Sequence, residues 1–472
     1  MKKFYITTPI YYVNDKPHIG HAYTTIAADV LARFHREQGE DVFLLTGTDE
    51  HGLKIQHKAE ETGKEPQKFV DEIAGEFKSL WDKLGIKYNN FIRTTDPKHK
   101  EAVQRVLQTL HDKGAIHKGE YEGLYCVACE QFRHENELID GRCPDHDIVV
   151  EKIKEECYLL EMADVQKELI EKIEKNEFTI KPERYKKEIL SFLQNESLKD
   201  VSISRKNVSW GIPLPFDNDH TTYVWVDAFL NYLTGTDWDG DIKNIPARWP
   251  ADVQLIGKDI LRVHATIWPV MLMHLGIEFP KLLFVHGHLL LGGKKMSKTI
   301  GNIIGIDEML EKFGVDGTRY LLMSAGTFGE DVDMTTERMT EKYNADLANG
   351  LGNLISRVVK LSSISNFKFQ VSNQAQNLND KILSFIERLD LNQALEEIWK
   401  IIRMDDKFIE GTKPWELQKT DEIKFREVMQ KLTSDLQLIS ELLIPFMPET
   451  AEKIKEILET KKTKILFPRL KP

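Results

Sequence analysis

The chain has 472 residues, with 64 Lys or Arg against 75 Asp or Glu and a formal net charge of −11; it is too long for one ordinary core and implies roughly two to four domains. The acidic balance argues against non-specific nucleic-acid affinity, which comes from Lys and Arg neutralising phosphates, although it leaves room for a local basic track. Four cysteines exclude a disulfide scaffold, no apolar run has the length of a membrane span, and Lys2-Lys3 runs straight into apolar Phe4-Tyr5-Ile6 without a secretory leader, so a cytoplasmic protein is expected.

Residues 1–112 alternate between strand and helix signals. Residues 4–12 are apolar and β-prone and stop at Asn14-Asp15-Lys16-Pro17. Pro17 then opens a helical pattern in which Ile19, Ala22, Ile26, Val30 and Phe34 recur at three- and four-residue steps. A strand thus feeds a turn and a helix N-terminus, whose N–H groups and positive dipole end suit a polyphosphate. His18 and His21 share a helix face there, and Gly20 leaves space for a flat ring to approach the backbone. On its own the stretch also fits an ordinary capped helix with two unrelated histidines. A strand at 41–45, a turn at 46–52, a helix through Phe69, Ile73, Phe77 and Leu80, a strand near Asn90–Arg93 and a helix through Val103, Val106, Leu107 and Leu110 follow. Such alternation implies a parallel sheet with crossover helices, and ligands of such sheets lie beyond the carboxyl ends of the strands. Neither a Gly-x-Gly-x-x-Gly nor a Walker A sequence is present.

The alternation breaks over 113–221. This stretch carries Cys126-Val127-Ala128-Cys129 and Cys143-Pro144-Asp145-His146. Two ligand pairs, each with two residues between, match a tetrahedral zinc site of Cys126, Cys129, Cys143 and His146. Four protein ligands leave no open position, which makes the metal structural. Cys157 falls outside the spacing and reads as core. The alternating pattern resumes over 222–290, through Tyr223-Val224-Trp225-Val226-Asp227-Ala228-Phe229-Leu230-Asn231-Tyr232 and a strand at 282–285, as the second half of the same sheet. Residues 291–341 form a linker region with a Gly-flanked basic loop, Gly292-Gly293-Lys294-Lys295-Met296-Ser297-Lys298-Thr299, and a short helix near Met309. Residues 342–472 are helical, with apolar faces of Leu347, Leu351, Leu354 and Val358, of Ile382, Phe385, Ile386 and Leu389, and of Leu436, Ile439 and Leu443, as in a bundle.

Pro9-Ile10-Tyr11-Tyr12-Val13-Asn14, the His18/His21 turn, the Lys295-Met296-Ser297-Lys298 loop and Trp225-Val226-Asp227-Ala228 together resemble the class I aminoacyl-tRNA synthetases, and among them the methionyl-tRNA synthetases, over residues 4 to about 468. The resemblance implies a Rossmann-like parallel-sheet catalytic domain split by a zinc-bearing insertion, then a C-terminal α-helical bundle. It implies ATP-dependent activation of methionine and transfer to initiator and elongator tRNA(Met), with Mg2+ on the ATP. Pro17, His18, Gly20 and His21 would meet ATP, as would Lys295, Met296, Ser297, Lys298 and Thr299; of the catalytic four, His18 and His21 would bind the ATP phosphates and Lys295 and Lys298 would stabilise the leaving pyrophosphate. Ile10, Tyr12, Trp225, Ala228, Phe229, Tyr232, Val263 and His264 would surround the methionine side chain, Asp49 would take its ammonium, and Asp259 would lie between substrate and ATP. Asn353, Arg357 and Trp415 would read the anticodon; without the resemblance Arg357 reads as a surface charge and Trp415 as a packing residue. Trp225 and Tyr232 taken singly read as core.

Three positions depart from many relatives. Thr299 replaces serine and keeps the hydroxyl, while Phe229 and Val263 stand where some members have proline and phenylalanine. The chain ends at Pro472 without the small OB-fold domain found in many bacterial relatives, so a monomer is expected. Synthetases for isoleucine, valine or leucine carry a larger editing insertion than the one expected here. A zinc-containing RNA-binding protein with a decayed core would not retain His18, His21 and Lys298, and a small-molecule nucleotidyltransferase would have no use for the bundle.

Overall fold

The computed structural model describes residues 1–472 apart from 127–130, 134, 136–137, 145–146, 207, 296–303, 364–375, 463 and 472. In chain order the elements are β1 (Lys3–Tyr12), α1 (Ile19–Glu37), β2 (Asp41–Asp49), α2 (Leu53–Glu61), α3 (Pro66–Lys83), β3 (Asn90–Arg93), α4 (Pro97–Asp112), β4 (Ile116–Cys126), β5 (Gln131–Arg133), β6 (Glu151–Leu160), α5 (Gln166–Glu174), β7 (Ile180–Lys181), α6 (Glu183–Asn195), β8 (Val201–Ser202), β9 (Ser204–Arg205), β10 (Pro213–Leu214), β11 (Asp217–Thr222), α7 (Val224–Phe229), α8 (Asn231–Thr234), β12 (Val253–Gly257), α9 (Leu261–Ala265), α10 (Ile267–Leu275) and β13 (Leu283–His286). There follow β14 (Leu289–Leu291), β15 (Lys294–Lys295), α11 (Ile306–Met323), β16 (Val332–Asp333), α12 (Thr336–Lys342), a π-helix (Tyr343–Leu351), α13 (Gly352–Ser363), α14 (Gln376–Glu387), α15 (Leu391–Thr412), α16 (Pro414–Thr420), α17 (Glu422–Leu443) and α18 (Pro448–Thr460). They fall into two compact units, one of Met1–Pro17, Asp41–Asp82 and Lys87–Val285, the other of His18–Glu40, Lys83–Ile86 and His286–Pro472.

The first unit holds a six-stranded sheet in the order β3-β2-β1-β12-β13-β7. The pairs β1–β2, β2–β3, β1–β12 and β13–β7 are parallel. Strands from both sides of residues 113–221 therefore share one sheet. Chain order runs outward through β1, β2 and β3 in one direction and through β12 and β13 in the other, with the earlier β7 added at the edge, so the winding reverses between β1 and β12, and a doubly wound sheet binds ligands at such a point. One face packs Tyr5, Leu45, Ile92 and Ile256 against α4, α7, α8 and α10 through Val106, Leu107, Phe229, Leu233, Trp268 and Met271. Each such fully buried side chain contributes roughly 1.5–3 kcal/mol.

Residues 223–232, whose run is apolar on every side and so carries no period to name an element, lie in α7 and α8. Two elements differ from the sequence reading. Strand β2 extends through Asp49 and takes up half of the expected 46–52 turn. The helix near Met309 is the 18-residue α11, broken at Gly314, where φ is 70°. Within 113–221, strands β5, β4, β6 and β8 make a sheet of their own, while two-residue β7 joins the parallel sheet beside β13. The second unit contains the helical C-terminal region. Among the described residues no helix is long and apolar enough to cross a membrane.

Candidate active site

In the first unit the residues expected to surround methionine gather where the sheet reverses. Parallel register sets Tyr12 beside Asp49 and Ile10 beside Gly47 at the ends of β1 and β2. Asp49 is buried. Strand β12 ends at Gly257, a 3-10 turn (Lys258–Ile260) carries exposed Asp259, and α9 presents Val263 and His264. The Tyr232 hydroxyl lies 2.8 Å from Nε2 of His264, and His264 Nδ1 lies 2.9 Å from the Ile260 carbonyl. A carbonyl only accepts, so Nδ1 carries the proton and Nε2 accepts from the tyrosine. Burial pulls the His264 imidazole down from 6.5 to about 4, against the opposing pull of the Ile260 carbonyl, so the ring is neutral at neutral pH. Burial also pushes the Tyr232 phenol far above its ordinary range.

Phe229 stands edge-on to His264 at 5.0 Å and stacks on Trp268 at 5.8 Å, with Trp225 6.1 Å away. Ile10, Trp225 and Val263 pack against the same cluster, and Ala228 is buried. The wall is thus aromatic and uncharged, with one neutral hydrogen-bonded pair in it. Such a wall favours an apolar, polarisable side chain over a charged one.

In the second unit, His18 is the N-cap of α1 rather than part of a helix opened by Pro17. Its Nδ1 accepts from the Gly20 N–H at 3.1 Å, while His21 Nδ1 accepts from the His18 N–H at 3.2 Å. The two rings stack at 3.7 Å. Both Nδ1 atoms are acceptors, so each neutral ring carries its proton on Nε2 and presents a donor there. A Cβ at Gly20 would stand 3.0 Å from His18 Cε1, so the space left by this glycine is occupied by the capping imidazole. Lys295 lies in β15, which pairs antiparallel with β14 across Gly292-Gly293, both at positive φ. Met296, Ser297, Lys298 and Thr299 lie outside the described residues.

The family described as tRNA synthetases class I (M) matches residues 4–150 and 147–359. The methionine–tRNA ligase of Caldanaerobacter subterraneus is 42% identical over 99% of this chain and 79% of that protein. That of Clostridium tetani is 45% identical over 96% of this chain and 73% of its own length. This chain belongs to the methionyl-tRNA synthetases. A solved structure of Mycobacterium tuberculosis methionyl-tRNA synthetase in complex with methionyl-adenylate superposes with a TM-score of 0.91 at 36% identity, covering 97% of this chain and 94% of that one.

In this synthetase Cys126 closes β4 and Cys143 sits in a tight loop; both are buried. The Cys143 N–H donates to the Ile148 carbonyl and the Asp147 N–H to the Cys143 carbonyl, at 2.9 and 2.8 Å. Such a turn suits a knuckle that offers two ligands to one metal. Cys129 and His146 lie outside the described residues. Cys157 is buried in β6, and burial raises its thiol. On α13 Asn353 is exposed and Arg357 pairs with Asp406 at 3.1 Å. Trp415, in the first turn of α16, is 44% exposed.

The sequence reading passed over the polar residues behind the pocket. Glu50, beside Asp49, is fully buried and accepts from Thr48, Thr95 and the Arg93 guanidinium. His51, His99 and Asp227 form a second buried group. Their available signal was a carboxylate inside the apolar run at 224–230, which burial forces to find donors.

Proposed function

We propose that this methionine–tRNA ligase takes the methionine side chain against Trp225, Phe229, Tyr232 and His264 and its ammonium at Asp49. The observation that carries the reading is the neutral, fully buried Tyr232–His264 pair set among aromatic rings where the parallel sheet reverses. A carboxylate oxygen of methionine attacks the α-phosphorus of ATP, the bond to the β-phosphate breaks, and pyrophosphate leaves. The carboxylate is already a nucleophile and pyrophosphate already a leaving group, so positioning and charge stabilisation supply the catalysis. His18 and His21 donate Nε2–H to phosphate oxygens, and Lys295 and Lys298 stabilise the departing pyrophosphate. Mg2+ bound to ATP would share the phosphate charge that His18, His21, Lys295 and Lys298 meet. The 2′-hydroxyl of the terminal tRNA adenosine then attacks the acyl carbon, and AMP leaves with release of a proton.

We assign the catalytic halves to 1–112 and 222–290, the insertion to 113–221, the Lys295–Lys298 linker to 291–341 and the anticodon-binding bundle to 342–472. Cys126, Cys129, Cys143 and His146 would hold one structural zinc ion. Asn353, Arg357 and Trp415 would contact the anticodon, since unstacked bases are bound by amides, guanidinium groups and aromatic faces. Protein synthesis places the enzyme in the cytoplasm. Amino-acid-dependent ATP–pyrophosphate exchange over the twenty amino acids tests the reading: exchange with methionine alone supports it, exchange with another amino acid overturns the pocket, and none overturns the activity.

A further inference from the structure

Asp227 sits on α7 between Trp225 and Ala228, with 1% of its surface exposed. Its Oδ2 lies 2.6 Å from Nδ1 of His51 and its Oδ1 2.7 Å from Nε2 of His99. Both histidines are buried. Burial alone would push the carboxyl up, but His51 and His99 outweigh it and hold Asp227 below the ordinary carboxylate range. An ionised carboxylate only accepts, so each imidazole turns an N–H toward it. This turns Nε2–H of His99 toward Asp227 and leaves its Nδ1 2.7 Å from the Thr234 hydroxyl.

These contacts join separate parts of the pocket. His51 is two residues past Asp49, on the turn between β2 and α2; His99 is on α4; Thr234 ends α8. The turn is held a second time by Glu50, and the Trp210 indole donates to the Glu50 carbonyl at 2.6 Å. The ammonium-binding end of β2 and the aromatic wall of α7 are therefore tied through one carboxylate. Neither Asp227 nor His99 is among the residues assigned to methionine or ATP.

We propose that Asp227, clasped between His51 and His99, is a positioning residue that sets the spacing between Asp49 and the α7 wall and thereby the affinity for methionine. This rests on the reading of Asp49 as the ammonium site. Asn at 227 keeps the shape but offers one acceptor oxygen and an NH2 that opposes an imidazole N–H, so the clasp must rearrange. A loss of uniform substrate binding raises KM with little change in kcat.

The test is pyrophosphate exchange with purified Asp227→Asn, His99→Ala and His99→Gln, beside Asp49→Asn. Asp227→Asn and His99→Ala are expected to raise KM for methionine about tenfold or more, with KM for ATP within about twofold and kcat within about threefold. His99→Gln can still donate to Asp227 and accept from Thr234, and is expected to recover most of the loss. Should Asp227→Asn fail to fold, the two His99 variants decide. Unchanged methionine KM in the folded variants overturns the proposal, as does an equal rise for methionine and ATP or a failure of Gln to rescue. A normal methionine KM in Asp49→Asn overturns the ammonium reading instead. A raised KM there with normal values at 227 and 99 defeats only the clasp.

Discussion

His264 shows how burial links the charge state of one ring to acid stability. Nδ1 donates to the Ile260 carbonyl and Nε2 meets the Tyr232 hydroxyl, so both nitrogens are satisfied in the neutral ring that burial favours. Folded His264 resists protonation down to about 4, whereas an exposed ring titrates near 6.5. The unfolded chain therefore binds the proton first as pH falls. This contribution to stability is complete above the unfolded value, declines as pH drops from 6.5 towards 4, and levels off below that. The integrated effect between pH 7.5 and 4.5 is about 2–3 kcal/mol. His264→Gln removes it, so denaturant unfolding at those two pH values should show a loss smaller by about that amount than in the unaltered enzyme. Equal acid losses in the two proteins would mean that His264 is protonated in the folded state. The position of His264 was legible only through the family resemblance; a lone histidine in an apolar helix ordinarily reads as core. Its neutrality was not legible, because it depends on Ile260 and Tyr232 together.

Among the elements, α1 is held by a charge that sequence periodicity gives no reason to expect. Arg319 on α11 is completely buried. Its guanidinium donates to Asp29 on α1 at 2.7 Å and to the Phe446, Pro445 and Leu84 carbonyls at 2.9, 3.0 and 3.3 Å. Asp29 also accepts from Arg33 at 2.7 Å. Removing only the guanidinium leaves a buried carboxylate and three carbonyls short of a donor, so Arg319→Met should destabilise by about 3–5 kcal/mol in chemical denaturation. Pairing it with Asp29→Leu removes both charges and should recover part of the loss. A double variant as unstable as the sum of the singles would show that the pair is not coupled. The strands at β1 and β3 and the helices α1, α3 and α4 were legible because their apolar residues keep one period. The helical turns at α7 and α8 were not, since every face there is apolar, and two-residue β7 is too short to have a period.

For the whole molecule, the sequence reading located the parallel sheet and the helical C-terminal region. It had no means of assigning residues 18–40 to the second unit, because that division depends on contacts between distant segments such as Asp29 and Arg319. The two-step reaction offers a test at this scale. Adenylate formation needs methionine and ATP alone, whereas charging also needs the tRNA. Trp415 is 44% exposed, so removing its ring opens no core cavity and should leave folding nearly unchanged. Stacking one base on an aromatic ring is worth about 1–3 kcal/mol. Trp415→Ala should therefore lower kcat/KM for tRNA charging by about 5- to 150-fold. Methionine-dependent pyrophosphate exchange should stay within about twofold of the unaltered enzyme, since no bound base is involved. Arg357 makes an instructive contrast, because a base at the proposed contact would have to compete with Asp406 for its guanidinium, and Arg357→Ala also removes an ion pair. A parallel fall of exchange and charging in Trp415→Ala would remove the bundle from anticodon recognition, since a residue that only reads the tRNA cannot slow a step that precedes its arrival.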